Sequence, residues 1–132
     1  VITVRHPCHW LLSFYHAIHR CHFGIPCLDV FHQLPQTDTF DQFVDAYLTQ
    51  CPGAIFEMVK SYNADVCLRI ENAPWCFIEF LAAFDIDGSN AQDVPIINAA
   101  TKPKTIWSPS VFKAIAKAER EMIEFFDYRS WL

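Results

Sequence analysis

The stretch VITVRHPCHWLLSFYHAIH places Arg5 where a short run of mostly β-branched residues stops, and Ser13 eight residues further on. In open α/β sheets, ligands bind beyond the carboxyl ends of the strands. A guanidinium at such an end offers two parallel hydrogen bonds to a phosphate or carboxylate. Ser13 carries a hydroxyl that could join it, but two helical turns rise about 11 Å. A shared anion site therefore requires the helix to start late or the chain to fold back after Pro7. The alternative is an exposed Arg5 and a Ser13 packed against the sheet.

Other side chains invite chemistry less directly. His16, His19, Cys21, His22 and Cys27 are close in sequence, and zinc takes His and Cys in tetrahedral sets. No finger spacing is present, and no metal is expected. His6 and Cys8 flank Pro7, yet residues this close in a loop seldom face each other as base and nucleophile. His9 and His32 read as surface or loop residues. Trp10, Phe23, Phe31 and Trp107 either line an apolar pocket or belong to the core.

The elements that must position these groups follow from spacing and punctuation. Residues 1–5 read as a buried strand with little alternation, which suits a parallel sheet. Pro7 can open a helix, and Trp10, Leu11, Phe14 and Ile18 keep helical spacing to about His22. Gly24 and Pro26 end it. Residues 23–38 form a loop, and Asp38 or Thr39 can cap a helix whose face carries Phe40, Phe43, Val44 and Tyr47. Cys51-Pro52-Gly53 breaks that helix, and Pro52 can open another through Tyr62. Residues 64–71 read as a second strand, and PWCFIEFLAAF as an amphipathic helix. DIDGSNAQD is a turn-rich loop, and VPIIN at most a short strand. Ser108 and Pro109 open a last helix expected to run to about Asp127. Val111, Ile115, Met122, Ile123 and Phe126 point inward there. Lys113, Lys117, Glu119, Arg120, Glu121 and Glu124 form a solvated outer face. Strands separated by helices point to an α/β layer fold.

Composition bounds the classes. The chain has 132 residues, 52% of them hydrophobic, with 12 Phe, enough for one domain with a real core and far from a disordered composition. Fifteen acids against ten bases give a net charge of -5, which argues against a general nucleic-acid binder. No apolar run is long enough to span a membrane, and no signal-peptide layout is visible. The first residue already lies in a strand pattern, so more chain is expected upstream. The six cysteines form no C-x-x-C pair. Most sit among apolar neighbours, which favours reduced thiols and a cytoplasmic setting over an oxidising one.

VRHPCHWLLSFYH resembles the 3′-phosphate-binding segment of sulfotransferases that use 3′-phosphoadenosine 5′-phosphosulfate (PAPS). There, a strand delivers an Arg, and a Ser eight residues later joins it on the nucleotide's 3′-phosphate. Arg5 and Ser13 match in identity and spacing. TFDQFVDAYL with PGAIFEMVKSY, DVCLRIENAP with FIEFLAAFDI, and IINAATKPKTIW with EREMIEFFDY are looser matches in the family's order. Together they span nearly the whole chain. The resemblance implies a P-loop-like three-layer sandwich with a parallel sheet, apparently truncated at its N-terminus. Residues 1–132 would be the C-terminal part of a single sulfotransferase-like domain. It implies PAPS as sulfuryl donor, a hydroxyl or amine acceptor of unidentified kind, and Arg5 and Ser13 as donor-binding residues. Lys102 and Lys104 lie where the family often offers a basic side chain to the same phosphate; a solvated connection is the alternative.

The chain also departs from the pattern. Ile70 and Asn72 replace Tyr and Asp of the family's R-Y-E-D-L, and Asp127 stands where Gly often precedes the final Tyr. The family's phosphosulfate loop is Gly-rich, and Gly24, Gly53 and Gly88 are the only glycines here. That loop and the general base would lie upstream, so no catalytic residue is assigned. The competing expectation is a non-catalytic half-domain, a nucleotide-binding relic or interaction module, self-associating through an exposed sheet edge.

Overall fold

The computed structural model describes residues 1–20, 31, 33–90 and 108–131. Among them are strands β1 (Ile2–Val4) and β2 (Cys67–Arg69) and helices α1 (Pro7–Arg20), α2 (Phe40–Gln50), α3 (Ala54–Ser61), α4 (Trp75–Ala82), α5 (Pro109–Ala118) and α6 (Arg120–Phe125). Single 3₁₀ turns follow β2 and α6, at Ile70–Asn72 and Tyr128–Trp131. The α/β expectation holds in this coarse form, a helix-rich chain with a small parallel sheet. The chain divides into two compact units: Val1–Arg5 with Ala64–Trp107, and His6–Asn63 with Ser108–Leu132.

In the first unit, β1 and β2 pair in parallel, with Ile2 opposite Cys67, Thr3 opposite Leu68 and Val4 opposite Arg69. The Ile2 N–H donates to the Val66 carbonyl at 2.9 Å, which extends the ladder by one bond. The second strand is shorter than the expected 64–71. After Arg69 the backbone tightens into the 3₁₀ turn, closed by the Ala73 N–H on the Ile70 carbonyl at 3.1 Å. Helix α4 packs against β2 and that turn. Of its eight residues only Cys76 is fully buried. Gly88 follows in an irregular stretch, where a Cβ would approach the Ile78 Cα and the Leu81 side chain to 3.2 Å, so glycine allows this close approach.

The second unit holds a dense aromatic and aliphatic core. α1 packs on α2 and α5, α2 on α5, and α3 on α6. Trp10 stacks on Phe14, both meet Phe31, and Phe31 lies parallel to Tyr47 at 6.3 Å. The expected face of α2 is the observed one, with Phe40, Phe43, Val44 and Tyr47 all buried. Thr39 caps α2, its Oγ1 accepting the Gln42 N–H at 3.3 Å. Cys51 closes the helix, and Gly53 adopts φ 81°, a left-handed conformation that favours glycine. Helix α3 therefore starts at Ala54, two residues later than Pro52 suggested.

The last helix is not continuous. It breaks at Glu119 (φ -101°, ψ 26°) into α5 and α6, and ends at Asp127 with φ 52°. Ser108 precedes α5 as expected, but its hydroxyl pairs with that of Ser110 at 2.6 Å rather than with the helix backbone. Ile115, Met122 and Ile123 point inward as expected. Among the described residues, no helix is long and apolar enough to cross a membrane.

Candidate functional site

Arg5 directly follows β1, at the carboxyl end of that strand, and is half-buried. Ser13 lies on α1, half-buried, between the fully buried Leu11 and the buried Phe14 in sequence. Arg5 belongs to the first unit and Ser13 to the second. Lys102 and Lys104 lie outside the described residues, as do Cys21, His22, Phe23, Cys27, His32 and Trp107. Trp10 and Phe31 serve the core of the second unit.

His6 and Cys8 have structural uses. His6 is 1% exposed and precedes the first residue of α1. Its carbonyl accepts the Trp10 N–H at 2.9 Å, and its Nδ1 accepts the Cys8 N–H at 3.2 Å. An imidazole thus fills the role usually taken by a Ser or Asp at a helix start. Its ring stacks on Phe112 at 5.6 Å and meets Tyr128 edge-on at 5.1 Å. Burial pushes the Cys8 thiol up to about 12, and its Sγ reaches the Phe112 carbonyl at 3.9 Å. A thiol so protonated is no nucleophile at neutral pH. Among the described residues, no three His, Cys, Asp or Glu side chains are placed to hold a metal ion.

The most constrained polar group is one that belongs, by sequence, to the solvated face of the last helix. Glu119 is 1% exposed. The Tyr47 hydroxyl donates to its Oε1, and the Phe56 N–H donates to its Oε2 at 3.2 Å. The backbone amides of Ile55 and Gly53 also favour its charged form electrostatically. The Phe56 amide of the first turn of α3, which has no partner inside its helix, is therefore answered by a side chain 63 residues away. The Ala54 N–H is satisfied locally by the Cys51 carbonyl at 3.2 Å.

The electrostatics follow from burial. Desolvation raises the Glu119 pKa, against the opposing pull of the Tyr47 hydroxyl and the three amides. Tyr47 is raised as well, first by burial and then by the Glu119 charge, while the same two causes push Cys51 up to about 11. Beside this group runs a cleft of about 380 Å³, walled by Pro52, Gly53 and Phe56 on one side and by Lys117, Ala118 and Arg120 on the other.

One sequence signal did point to Glu119. It lies four residues after Ile115 and three before Met122, on the same helical stripe as the inward-facing residues. Its charge and its charged neighbours Lys117, Arg120 and Glu121 masked that position.

No family model, curated protein or solved structure matches this chain.

Proposed function

We propose that this chain forms the 3′-phosphate side of a PAPS-dependent, sulfotransferase-like donor site within a P-loop-like layered α/β fold. The observation that carries the proposal is the position of Arg5. It leaves the carboxyl end of a strand that pairs in parallel with β2, and a helix bearing Ser13 begins two residues later. That is where open α/β sheets collect ligands. The likeness of VRHPCHWLLSFYH to the family's phosphate-binding segment supports the same assignment.

In sulfuryl transfer, the bond from sulfur to the donor's phosphate oxygen breaks as one to an acceptor hydroxyl or amine forms. A base takes the acceptor's proton, and adenosine 3′,5′-bisphosphate leaves. Positioning and electrostatic stabilisation dominate such chemistry. Arg5 would bind and orient the donor, with Ser13, Lys102 and Lys104 as further contacts to its 3′-phosphate. These 132 residues contain no Gly-rich phosphosulfate loop, so the transfer step itself needs groups from elsewhere.

Calorimetric titration with adenosine 3′,5′-bisphosphate tests this. A charged hydrogen-bonded contact contributes about 1.5–3 kcal/mol, so Arg5→Ala should weaken binding about 10- to 100-fold. Ser13→Ala should weaken it about fivefold, as expected for a neutral hydroxyl worth about 1 kcal/mol. Adenosine 5′-monophosphate, which lacks the 3′-phosphate, should bind equally to wild type and Arg5→Ala. Unchanged affinity for the bisphosphate in Arg5→Ala would overturn the assignment.

A non-catalytic interaction module is the second reading, favoured by the exposure of Trp75, Phe84 and Ile86 on and just after α4. Sedimentation velocity across a concentration series separates the two. Self-association that is lost in a Trp75→Ser, Phe84→Ser double variant, without any nucleotide binding, would support the module.

A further inference from the structure

The register of the small sheet gives Arg5 a neighbour that lies far from it in the chain. β1 and β2 run in parallel, and Val4, the last residue of β1, lies opposite Arg69, the last residue of β2. Arg5 follows Val4 directly. Two arginines therefore stand at the same carboxyl edge, on adjacent strands, and both are half-buried. Among the described residues of the first unit they are the only Lys or Arg, although Asp65, Glu71, Glu79, Asp85 and Asp87 belong to the same unit. We infer, resting on the assignment of Arg5 to the donor site, that Arg69 is a second phosphate-binding residue there and takes the nucleotide's 3′-phosphate jointly with Arg5.

Strand geometry brings the two within reach of one group. Neighbouring strands lie about 4.8 Å apart and rise about 3.3 Å per residue, so the two Cα atoms are about 6 Å apart at the edge. Alternation gives Arg69 the face of Val4 and turns the residue after Val4 to the other face. The two guanidiniums thus approach a ligand beyond the strand ends from opposite sides. Like charges on neighbouring strands repel each other, and Arg5 makes no ion pair among the described residues. An anion bound between them reverses that repulsion. A carboxylate brings one charge and two oxygens. A phosphate monoester brings nearly two charges and three oxygens, enough for a forked contact from each side. The chemistry of the edge therefore selects a terminal phosphate, which is what a 3′-phosphate is.

Binding of adenosine 3′,5′-bisphosphate and of adenosine 5′-monophosphate to the whole chain, measured side by side, tests the joint contact. Arg69→Ala should weaken the bisphosphate about 10- to 100-fold, as expected for a charged hydrogen-bonded contact. It should leave the monophosphate, which has no 3′-phosphate, unchanged. Unchanged bisphosphate affinity in Arg69→Ala, or an equal loss for both nucleotides, would overturn the role of Arg69. Arg5→Ala in the same series separates the two assignments. A loss there with none in Arg69→Ala overturns the joint contact and leaves Arg5 in place. A wild type that does not bind the bisphosphate, or no loss in Arg5→Ala, overturns both. If Arg69→Ala does not fold, Arg69→Lys decides. It keeps the charge and loses the fork, so the bisphosphate should weaken about threefold with the monophosphate unmoved. Full bisphosphate affinity in that variant would overturn the inference.

Discussion

Removing the Glu119 side chain strands two donors at once. Glu119→Ala leaves the buried Tyr47 hydroxyl and the Phe56 amide without their acceptor. A single buried donor left unmade costs about 1–3 kcal/mol. The variant should therefore lose at least about 2 kcal/mol in urea unfolding at pH 5, and Glu119→Gln markedly less. Equal midpoints for the two variants would contradict this role. At this scale the sequence was partly legible. The placement of Arg5 after a strand follows from a β-branched run and a proline. The burial of Glu119 is signalled only by its place on the stripe of Ile115 and Met122, and nothing local names its partner Tyr47, 72 residues away.

Among the elements, α2 was the most readable. Its boundaries are written in Thr39 and in the Cys51-Pro52-Gly53 corner, and its buried face in the spacing of four large side chains. Thr39→Ala should cost about 1 kcal/mol, the usual worth of such a cap, measured by thermal unfolding. At Gly53 an added Cβ would meet nothing nearer than the Ala118 carbonyl at 3.8 Å, so space is not the obstacle. The φ of 81° is. Gly53→Ala should lower stability by about 1–2 kcal/mol from backbone strain alone. No loss would mean the corner relaxes on substitution. The break between α5 and α6 was not readable. Every residue from Ser110 to Phe126 is compatible with a helix, and no residue type marks the interruption at Glu119. The second strand was drawn too long for a similar reason. Its partner strand ends at Val4, opposite Arg69, so Ile70, Glu71 and Asn72 have no strand to pair with and close a 3₁₀ turn instead.

For the molecule as a whole, the α/β class was legible from the alternation of strands and helices, whereas the division into two units was not. No linker, charge run or composition shift marks residues 63–64 or 107–108, because each unit is closed by long-range packing. The two units differ in substance. The first has three-residue strands and a helix with one buried side chain, and the second has a core of fully buried aromatics. Amides of β1 and β2 should therefore exchange faster than those of α2. The reverse order would contradict that contrast. Cys8, Cys51, Cys67 and Cys76 all stand as thiols. With its pKa near 12, Cys8 presents a thiolate fraction of roughly 10⁻⁴ at pH 8. Iodoacetamide mapping at that pH should mark the half-buried Cys67 well before Cys8, and equal rates would contradict the burial.

The chain passes between the units three times, at residues 5–6, 63–64 and 107–108, so each is assembled from two separate stretches. During synthesis β1 must wait for β2, about 65 positions later, before it has a neighbour. Tyr47 waits longer still, 72 positions, and the Phe56 amide 63, until residue 119 has emerged. A nascent chain halted before that point carries a tyrosine and a helix start whose acceptor does not yet exist. Translation therefore delivers the hydrogen-bonding demand first and its answer 63 to 72 residues later, and the second unit can close only once that stretch has emerged.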